Sequence, residues 1–308
     1  MAQLQIRPLA ESDVDAAERV MRCAFGTFVG LPTPEDFGGD ASFVRSRWQR
    51  VPERAFGAFE GGRLIGSNLL SRWGSFAFFG PLSIDPAYWG RGLATPLMEP
   101  VIALLDAWAL TGSGLFTFPQ SLLHICLYQK FGFRPGYLSI IFEKTLELGG
   151  SSSNGAVEAG GDRLERLAVS REIADAVLPG LDLSEEIETA AEHRLGDGVV
   201  TASGNGFAVC HVGAGSEAGS ETCYVKFAAA RPGDSAPRHF DELLSACESF
   251  ASVRGAKKLV AGVSAGRRAA YERLLTRGYR ASITGVSMHR PGRPLFSSPD
   301  DFVIDDWR

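Results

Sequence analysis

The spacing of apolar residues along the chain predicts a mixture of helices and strands. In residues 11–24 apolar side chains recur every three or four positions, which is typical of a helix with one buried face. Elsewhere they alternate with polar residues or form short uninterrupted runs, which predicts strands. The first half is expected to contain, in order, a strand at 4–8, helices at 11–24 and 41–49, strands at 54–60, 63–72 and 73–85, a helix from 96, a strand at 114–118, a helix at 119–132 and a strand or hairpin at 133–144. Interruptions are expected at Gly80-Pro81 in the strand at 73–85 and at Pro135-Gly136 in the last element.

A change of composition divides the chain in two. Residues 147–162 are mostly Gly, Ser, Ala and Asn with hardly any hydrophobic residue, which predicts a flexible linker. We therefore expect one domain at 1–146 and another at 163–290. The last stretch, 291–308, is too apolar for a free tail and is expected to dock through Phe302, Ile304 and Trp307.

The order of elements appears twice, once on each side of the predicted linker. In the second half, Gly278-Tyr-Arg repeats Gly132-Phe-Arg of the first. Aligning these glycines puts Leu274 where Tyr128 stands, and Arg238 where Gly92 stands. The second domain is therefore expected to be a degenerate copy of the first.

The most informative stretch is 78–97, where an apolar run meets a glycine-rich turn and then a helical pattern. Gly90 and Gly92 can adopt left-handed backbone angles, so that successive amides point at one anion. Thr95 and Pro96 are expected to cap the helix and begin it, since proline loses nothing at the first helical position. Pro100 predicts a bend or a later start of this helix. The order strand, amide turn, helix indicates a phosphate-bearing ligand.

Two known kinds of phosphate site match this turn poorly. A nucleoside triphosphate P-loop needs Lys and then Ser or Thr after its last glycine, and Leu93-Ala94 supplies neither. A dinucleotide fingerprint needs a third small residue and an acid about 20 positions later, which Thr95 and Asp106 match poorly. A glycine turn without any ligand is the remaining interpretation of the turn alone.

Two segments together resemble the GNAT superfamily of acetyl-CoA-dependent N-acetyltransferases. Its first signature is Arg or Gln, two residues, Gly, one residue, then Gly or Ala, and 89–94 (Trp-Gly-Arg-Gly-Leu-Ala) occupies it with Trp89 as a departure. The second signature, a Tyr four residues before Gly-Phe, is similar to 127–134. The resemblance covers about 4–144 and implies a mixed α/β fold, here two tandem GNAT-like units, with acetyl-CoA as cosubstrate.

In that family the strand before the turn parts from its neighbour and the pantetheine arm lies in the gap. The positions implied to bind the coenzyme are Leu82, Ser83, Ile84, Trp89, Gly90, Arg91, Gly92, Leu93, Ala94 and Thr95.

The same resemblance gives Tyr128 the role of the acid that protonates the leaving thiolate. A packed tyrosine at a helix end is the structural alternative. No acid or histidine occurs at 73–81 to act as base, and His124, one helical turn before Tyr128, is a candidate beside a chain of waters. A packed histidine is the commoner case.

The loop at 25–40 is expected to cover a substrate site. Its acids, Glu35, Asp36 and Asp40, could attract a cationic amine, although loop acids are usually just solvated. Aromatic residues around it could line an apolar acceptor pocket, although core packing is the simpler explanation: Phe25, Phe28, Phe37, Phe76 and Phe78.

Composition narrows the class of protein. Hydrophobic content of 45%, charged content of 22% and a net charge of −5 are those of a soluble globular protein without a basic surface for nucleic acid. The five scattered cysteines indicate reduced thiols in the cytoplasm, with no metal site expected. No apolar run is long enough for a membrane span.

We predict an N-acetyltransferase acting on a small-molecule or peptide amine; the alternative is a non-catalytic acyl-CoA sensor or scaffold. The sequence does not indicate an oligomeric state.

Overall fold

The structure is a computed structural model of the 308-residue chain, and it describes residues 3–146 and 163–308. The predicted linker at 147–162 lies outside the described residues. The fold is mixed α/β, as the sequence predicted.

The first half places its helices between strands. The elements are β1 (Leu4–Pro8), α1 (Val14–Val29), α2 (Val44–Arg50), β2 (Ala55–Glu60), β3 (Arg63–Trp73), β4 (Phe76–Phe79), β5 (Ser83–Ile84), α3 (Ala94–Ala107), β6 (Gly112–Thr117), α4 (Leu122–Lys130) and β7 (Arg134–Thr145).

The second half begins with two helices. The elements are α5 (Arg163–Val177), α6 (Ser184–Glu192), β8 (Gly196–Val200), β9 (Gly206–Gly213), β10 (Gly219–Ala230), α7 (Ala236–Val253), β11 (Lys258–Ser264), α8 (Arg268–Thr276), β12 (Arg280–Arg290) and β13 (Val303–Asp305).

The strands of both halves form one hydrogen-bonded network. Its order is β1-β2-β3-β4-β6-β12-β7-β11-β10-β9-β8, with β5 paired to β3 and β13 paired to β10. The central strands are exchanged between the halves: β12 pairs with β6, and β7 pairs with β11, in both cases antiparallel. The predicted domain boundaries stay a prediction, but sheet hydrogen bonds join the two parts across them.

Alternation along β4 sends its side chains into two different cores. Ala77 and Phe79 pack in the cluster covered by α3 and α4, which also holds Tyr128. Phe76 and Phe78 pack in the opposite cluster with residues of α5, α6 and the segment around Trp307. Both faces of the sheet at β4 are thus buried, and each face packs against a different set of helices.

Three sequence expectations near β4 need correction. The strand expected at 73–85 is broken at Gly74, whose φ of 60° makes a turn that was not expected, and at Gly80–Pro81, where the interruption was predicted. Helix α3 begins at Ala94, so Pro96 is its third residue, where the missing N–H is tolerated because the first amides of a helix lack helical partners anyway. Pro100 lies inside α3, which continues to Ala107, so the later start is wrong.

Strand β7 runs continuously through Pro135–Gly136, where a break was expected, and absorbs the irregularity as a shift in its register with β12. Phe302, Ile304 and Trp307 are buried, with exposed fractions of 6%, 0% and 4%.

The second half follows the order of the first from β10 to β12. Helices α3 and α7 follow equivalent strands and begin at Ala94 and Ala236, so the position of Gly92 corresponds to Asp234. Alignment on the helix starts differs from the alignment on Gly132 and Gly278, which pairs Gly92 with Arg238, because α7 has 18 residues and α3 has 14. That the second half is a degenerate copy stays a prediction.

Candidate functional site

The turn between β5 and α3 has the backbone conformation that its glycines predict. Gly90 and Gly92 have φ angles of 76° and 74°, in the left-handed region that other residues rarely adopt. A Cβ added at either glycine would meet nothing within 4 Å. Glycine is therefore required here by backbone conformation, and the space beside the turn is open.

The amides of this turn are available to a ligand. In the described ranges, 3–146 and 163–308, the N–H groups of residues 90–94 donate to no protein acceptor, whereas Thr95 donates to the Gly92 carbonyl at 3.2 Å. Leu93 occupies the cap position of α3 without a capping side chain. Thr95 is inside the helix, so the capping role predicted for it is wrong. Free amides at the positive end of a helix attract an anion.

The side chains of the turn lie beside these amides. The exposed indole of Trp89 donates from Nε1 to the Ile84 carbonyl at 2.7 Å. The Arg91 guanidinium is paired with Glu60, with Nη2 to Oε1 at 2.5 Å, and lies 5.0 Å from the centroid of the Tyr88 ring. The hydrogen bond from Arg91 lowers the pKa of the Glu60 carboxyl.

Beside the turn, two parallel strands part. β4 pairs with β6 from Phe76–Gly112 to Phe78–Gly114. Beyond Gly80–Pro81 the chain returns as β5, which pairs only with β3 among the described strands. The gap between β5 and the end of β6 is called here the first slit.

One edge of β5 faces this slit. Its register pairs Ser83 with Ser67, and the Asp85 amide donates to the Ile65 carbonyl at 2.8 Å. Because successive residues alternate direction, the backbone groups of Leu82 and Ile84 point away from β3. Gly66 lets β5 lie close to β3, since a Cβ at this position would lie 2.6 Å from Ile84 Cδ1 and 2.8 Å from the Ser83 carbonyl.

Tyr128 lies on α4 where the first slit begins. Its ring packs edge-on against Phe79, the last residue of β4, with centroids 5.8 Å apart, and only 7% of the residue is exposed. Burial raises the pKa of the phenol. Ser121 begins the helix by accepting a hydrogen bond from the His124 amide at 3.5 Å.

His124 has different neighbours from Tyr128. Its ring lies 5.2 Å from that of Phe28, and burial lowers its pKa, which keeps the imidazole neutral at pH 7. Phe28 in turn packs on Phe118 at 4.9 Å, and Phe25 lies 5.4 Å from Phe37. Phe28 thus lies against His124, and Phe25 and Phe37 extend the same group of rings through Phe118, whereas Phe76 and Phe78 are buried in the opposite core.

Two of the loop acids are already engaged. Asp40 accepts hydrogen bonds from the amide and the hydroxyl of Ser220, and these bonds lower its pKa. Glu35 accepts a hydrogen bond from the Cys23 thiol at 3.6 Å. Asp40 therefore ties the loop to the second half of the chain.

A buried ionic cluster beside the first slit was not foreseen from the sequence. Arg47 on α2 donates to the Gly80 carbonyl at 2.5 Å and to the Arg308 carbonyl, and pairs with Glu217 at 2.8 Å. Glu217 also pairs with Lys226. Burial would raise the pKa of Glu217, but Arg47 and Lys226 hold it well below its usual range. The partners lie 170 residues apart, so no local pattern could reveal them.

Other classes of site receive no support from the described residues. No group of three or more His, Cys, Asp or Glu side chains among them could hold a metal ion. Among the same residues, no helix is both long and apolar enough to cross a bilayer.

Comparison with known proteins agrees with this geometry. Residues 24–133 match the model of the acetyltransferase (GNAT) family. A candidate acetyltransferase from Pyrococcus horikoshii is similar over 99% of this chain and 95% of its own, with 18% identity and a TM-score of 0.71. A GCN5-related N-acetyltransferase from Sphaerobacter thermophilus covers 94% and 96%, with 16% identity and a TM-score of 0.62.

A search of curated proteins gives no match. The two solved structures, at these identities, show the fold alone. The family match contains the open amide turn, the first slit and Tyr128. Residues 24–133 are therefore similar to an acetyltransferase domain of the GNAT family.

Proposed function

We propose that the protein is an N-acetyltransferase that moves the acetyl group of acetyl-CoA to a primary amine, with Tyr128 as the acid that protonates the leaving sulfur. The observation that carries this proposal is the run of free amides at residues 90–94, immediately before α3. These amides would hold the pyrophosphate of the coenzyme. A diphosphate suits them because several donors and the helix dipole act on one anion.

The first slit is the proposed place of the pantetheine arm. The arm carries amide groups, and the backbone groups of Leu82 and Ile84 point into the slit. Trp89 already donates to the Ile84 carbonyl, so Leu82 offers the free backbone partners on this edge. Ser83 pairs with β3 and acts on the arm by holding β5 in place.

The acyl group would lie near Gly80, between the ring of Tyr128 on one face of the sheet and Arg47 on the other. As the amine nitrogen forms a bond to the thioester carbon, the carbonyl electron pair moves to oxygen. The C–S bond then breaks with its electrons on sulfur, and the Tyr128 hydroxyl gives its proton to that sulfur. Because burial raises the pKa of this phenol, it stays protonated throughout the physiological pH range.

The amine must lose a proton to attack or immediately afterwards. His124 is a candidate acceptor because burial keeps its imidazole neutral, and its ring lies beside Phe28 of α1, which packs on Phe118. A chain of waters is the other candidate. A small-molecule or peptide amine fits either case. A cytoplasmic location is proposed from the five unpaired cysteines.

The proposal is tested by turnover of acetyl-CoA with a panel of primary amines. Released CoA should be measured by chromatography, because Cys126 is exposed and would react with a thiol reagent. Tyr128→Phe should lower kcat by about 100-fold with little change in the affinity for CoA. Tyr137→Phe, which changes a half-exposed tyrosine on β7, is the matched control and should retain full activity.

This experiment also separates the enzyme from a non-catalytic acyl-CoA sensor. A sensor would bind acetyl-CoA without releasing CoA in the presence of any amine. Equal kcat values in Tyr128→Phe and the parent protein would remove Tyr128 from the mechanism.

A further inference from the structure

The second half contains a slit that corresponds to the first. β10 and β11 are parallel and pair from Thr222–Lys258 to Val225–Ala261. Beyond Val225 the ladder of β10 with β9 shifts register, and β10 pairs with β11 no further. The gap between the end of β10 and the end of β11 is called here the second slit.

The second slit is filled by residues of the same chain. β13 pairs antiparallel with β10 over the stretch that has left β11, through Phe227–Asp305 and Ala229–Val303. The segment lies against β11 as well, since a Cβ added to Gly262 would be 2.3 Å from the Asp306 Cβ. Residues 303–306 are at most 3% exposed. Residues 302–308 are called here the inserted segment.

Buried polar side chains of the second half hold the inserted segment in place through hydrogen bonds. Arg267, next to the start of α8, is fully buried. It donates to the Val303 carbonyl at 3.1 Å and to both carboxylate oxygens of Asp305 at 3.1 Å. The Tyr224 hydroxyl donates to Asp306 at 2.9 Å. A buried arginine with a bidentate carboxylate partner defines one position for this strand.

The rest of the corresponding cleft does not suit a diphosphate. When the helix starts are aligned, the turn before α7 has Asp234, a negative side chain, at the position of Gly92. Pro237, the second residue of α7, has no N–H to offer an anion. A cavity of about 340 Å³ remains between α7 and α8, and Glu272 and Phe302 are among its lining residues. Phe302, the first residue of the inserted segment, thus forms part of its wall.

We propose that the second slit is a binding site for an extended polypeptide strand, occupied by residues 302–308 of the same chain, so that each chain binds one acyl-CoA. The inference rests on the proposed function in one respect, namely that the first slit binds acyl-CoA. Its recognition is strand addition: β10 supplies backbone hydrogen bonds, and Arg267 supplies a specific partner for Asp305.

Calorimetric titration of the full chain with CoA tests the stoichiometry, and two glycines give a matched pair of variants. Gly92→Val alters the turn before α3, and Gly233→Val alters the turn before α7; both glycines have positive φ and open space around the added Cβ. We expect one CoA per chain, loss of binding in Gly92→Val, and unchanged stoichiometry and Kd in Gly233→Val. Two sites per chain, or a site that survives in Gly92→Val, would overturn the inference.

Hydrogen exchange of the full chain tests the occupied slit without relying on CoA binding in the first half. The amides of 303–305 should exchange slowly, and saturating CoA should leave their rates unchanged. Rapid exchange there, or exchange that accelerates when CoA is added, would contradict the proposal. If the parent protein binds no CoA at all, the proposed function fails, and the exchange rates alone decide whether the strand occupies the slit.

Discussion

Neutralising Glu217 should destabilise the protein far more than neutralising an exposed acid. The Glu217 side chain is 1% exposed, and it pairs with both Arg47, itself 1% exposed, and Lys226. Glu217→Gln would remove the carboxylate that pairs with buried Arg47, and would leave buried Lys226 with Glu186, 3.8 Å away, as its carboxylate partner. Breaking a buried pair in this way costs about 3–5 kcal/mol. Glu272→Gln is the control, because Glu272 pairs with Arg268 on the surface of α8, where such pairs contribute under about 1 kcal/mol.

Urea unfolding monitored by circular dichroism measures the difference. With a slope of about 3 kcal/mol per molar urea, Glu217→Gln should lower the midpoint by about 1 M or more, and Glu272→Gln by less than about 0.3 M. The pKa of Glu217 is depressed in the folded state, so its stabilising effect is present above the unfolded-state pKa of about 4.3 and is lost as pH falls through the folded-state value. The gap between parent and Glu217→Gln should therefore be constant near pH 7 and narrow below pH of about 4. Equal midpoints for the two variants at pH 7 would refute the reasoning.

Three further outcomes are expected. Gly66→Ala should lower stability by about 1–3 kcal/mol and weaken CoA binding, because the new Cβ meets the Ser83 carbonyl of β5; urea midpoints and calorimetry measure both effects, and unchanged CoA affinity in a folded variant would contradict the assigned slit. If His124 is the base, kcat/KM should fall on the acid side with a pKa below the usual value of about 6.5, and His124→Gln should remove that limb of the pH profile; an identical profile in the variant would leave the water chain as the base. The Kd for CoA should rise with salt, since exposed charges and amides at the turn attract the pyrophosphate; a Kd that stays constant from 0.05 to 0.5 M salt, roughly a threefold change in Debye length, would argue against pyrophosphate binding at the turn.

The sequence predicted the local features of the site because they depend on local chemistry. Gly90 and Gly92 require a left-handed turn wherever the rest of the chain lies, and Ser121 begins α4 whatever packs on it. The helix start was misplaced by two residues because Thr95-Pro96 is a good helix start in isolation, whereas in the structure the Thr95 amide already bonds to the Gly92 carbonyl.

Contacts between distant segments could not be predicted from either half. The exchange of β7 and β12 depends on pairing strands about 145 positions apart, for which periodicity gives no register. Arg47 and Glu217 were likewise ordinary charged residues in the sequence, and only the fold buries them together beside Gly80. The apolar character of Phe302, Ile304 and Trp307 indicated burial, but the strand pairing of 303–305 with β10 was not foreseen.

The central claim is that backbone amides at residues 90–94 hold the pyrophosphate of acetyl-CoA while the acyl group lies beside Tyr128. A crystal structure of the full chain with CoA and an amine inhibitor tests this most directly. The account predicts pyrophosphate oxygens within hydrogen-bond distance of those amides, about 2.7–3.2 Å, and the sulfur in the first slit near the Tyr128 hydroxyl. Coenzyme bound in the second half, or an empty turn at saturating CoA, would contradict it.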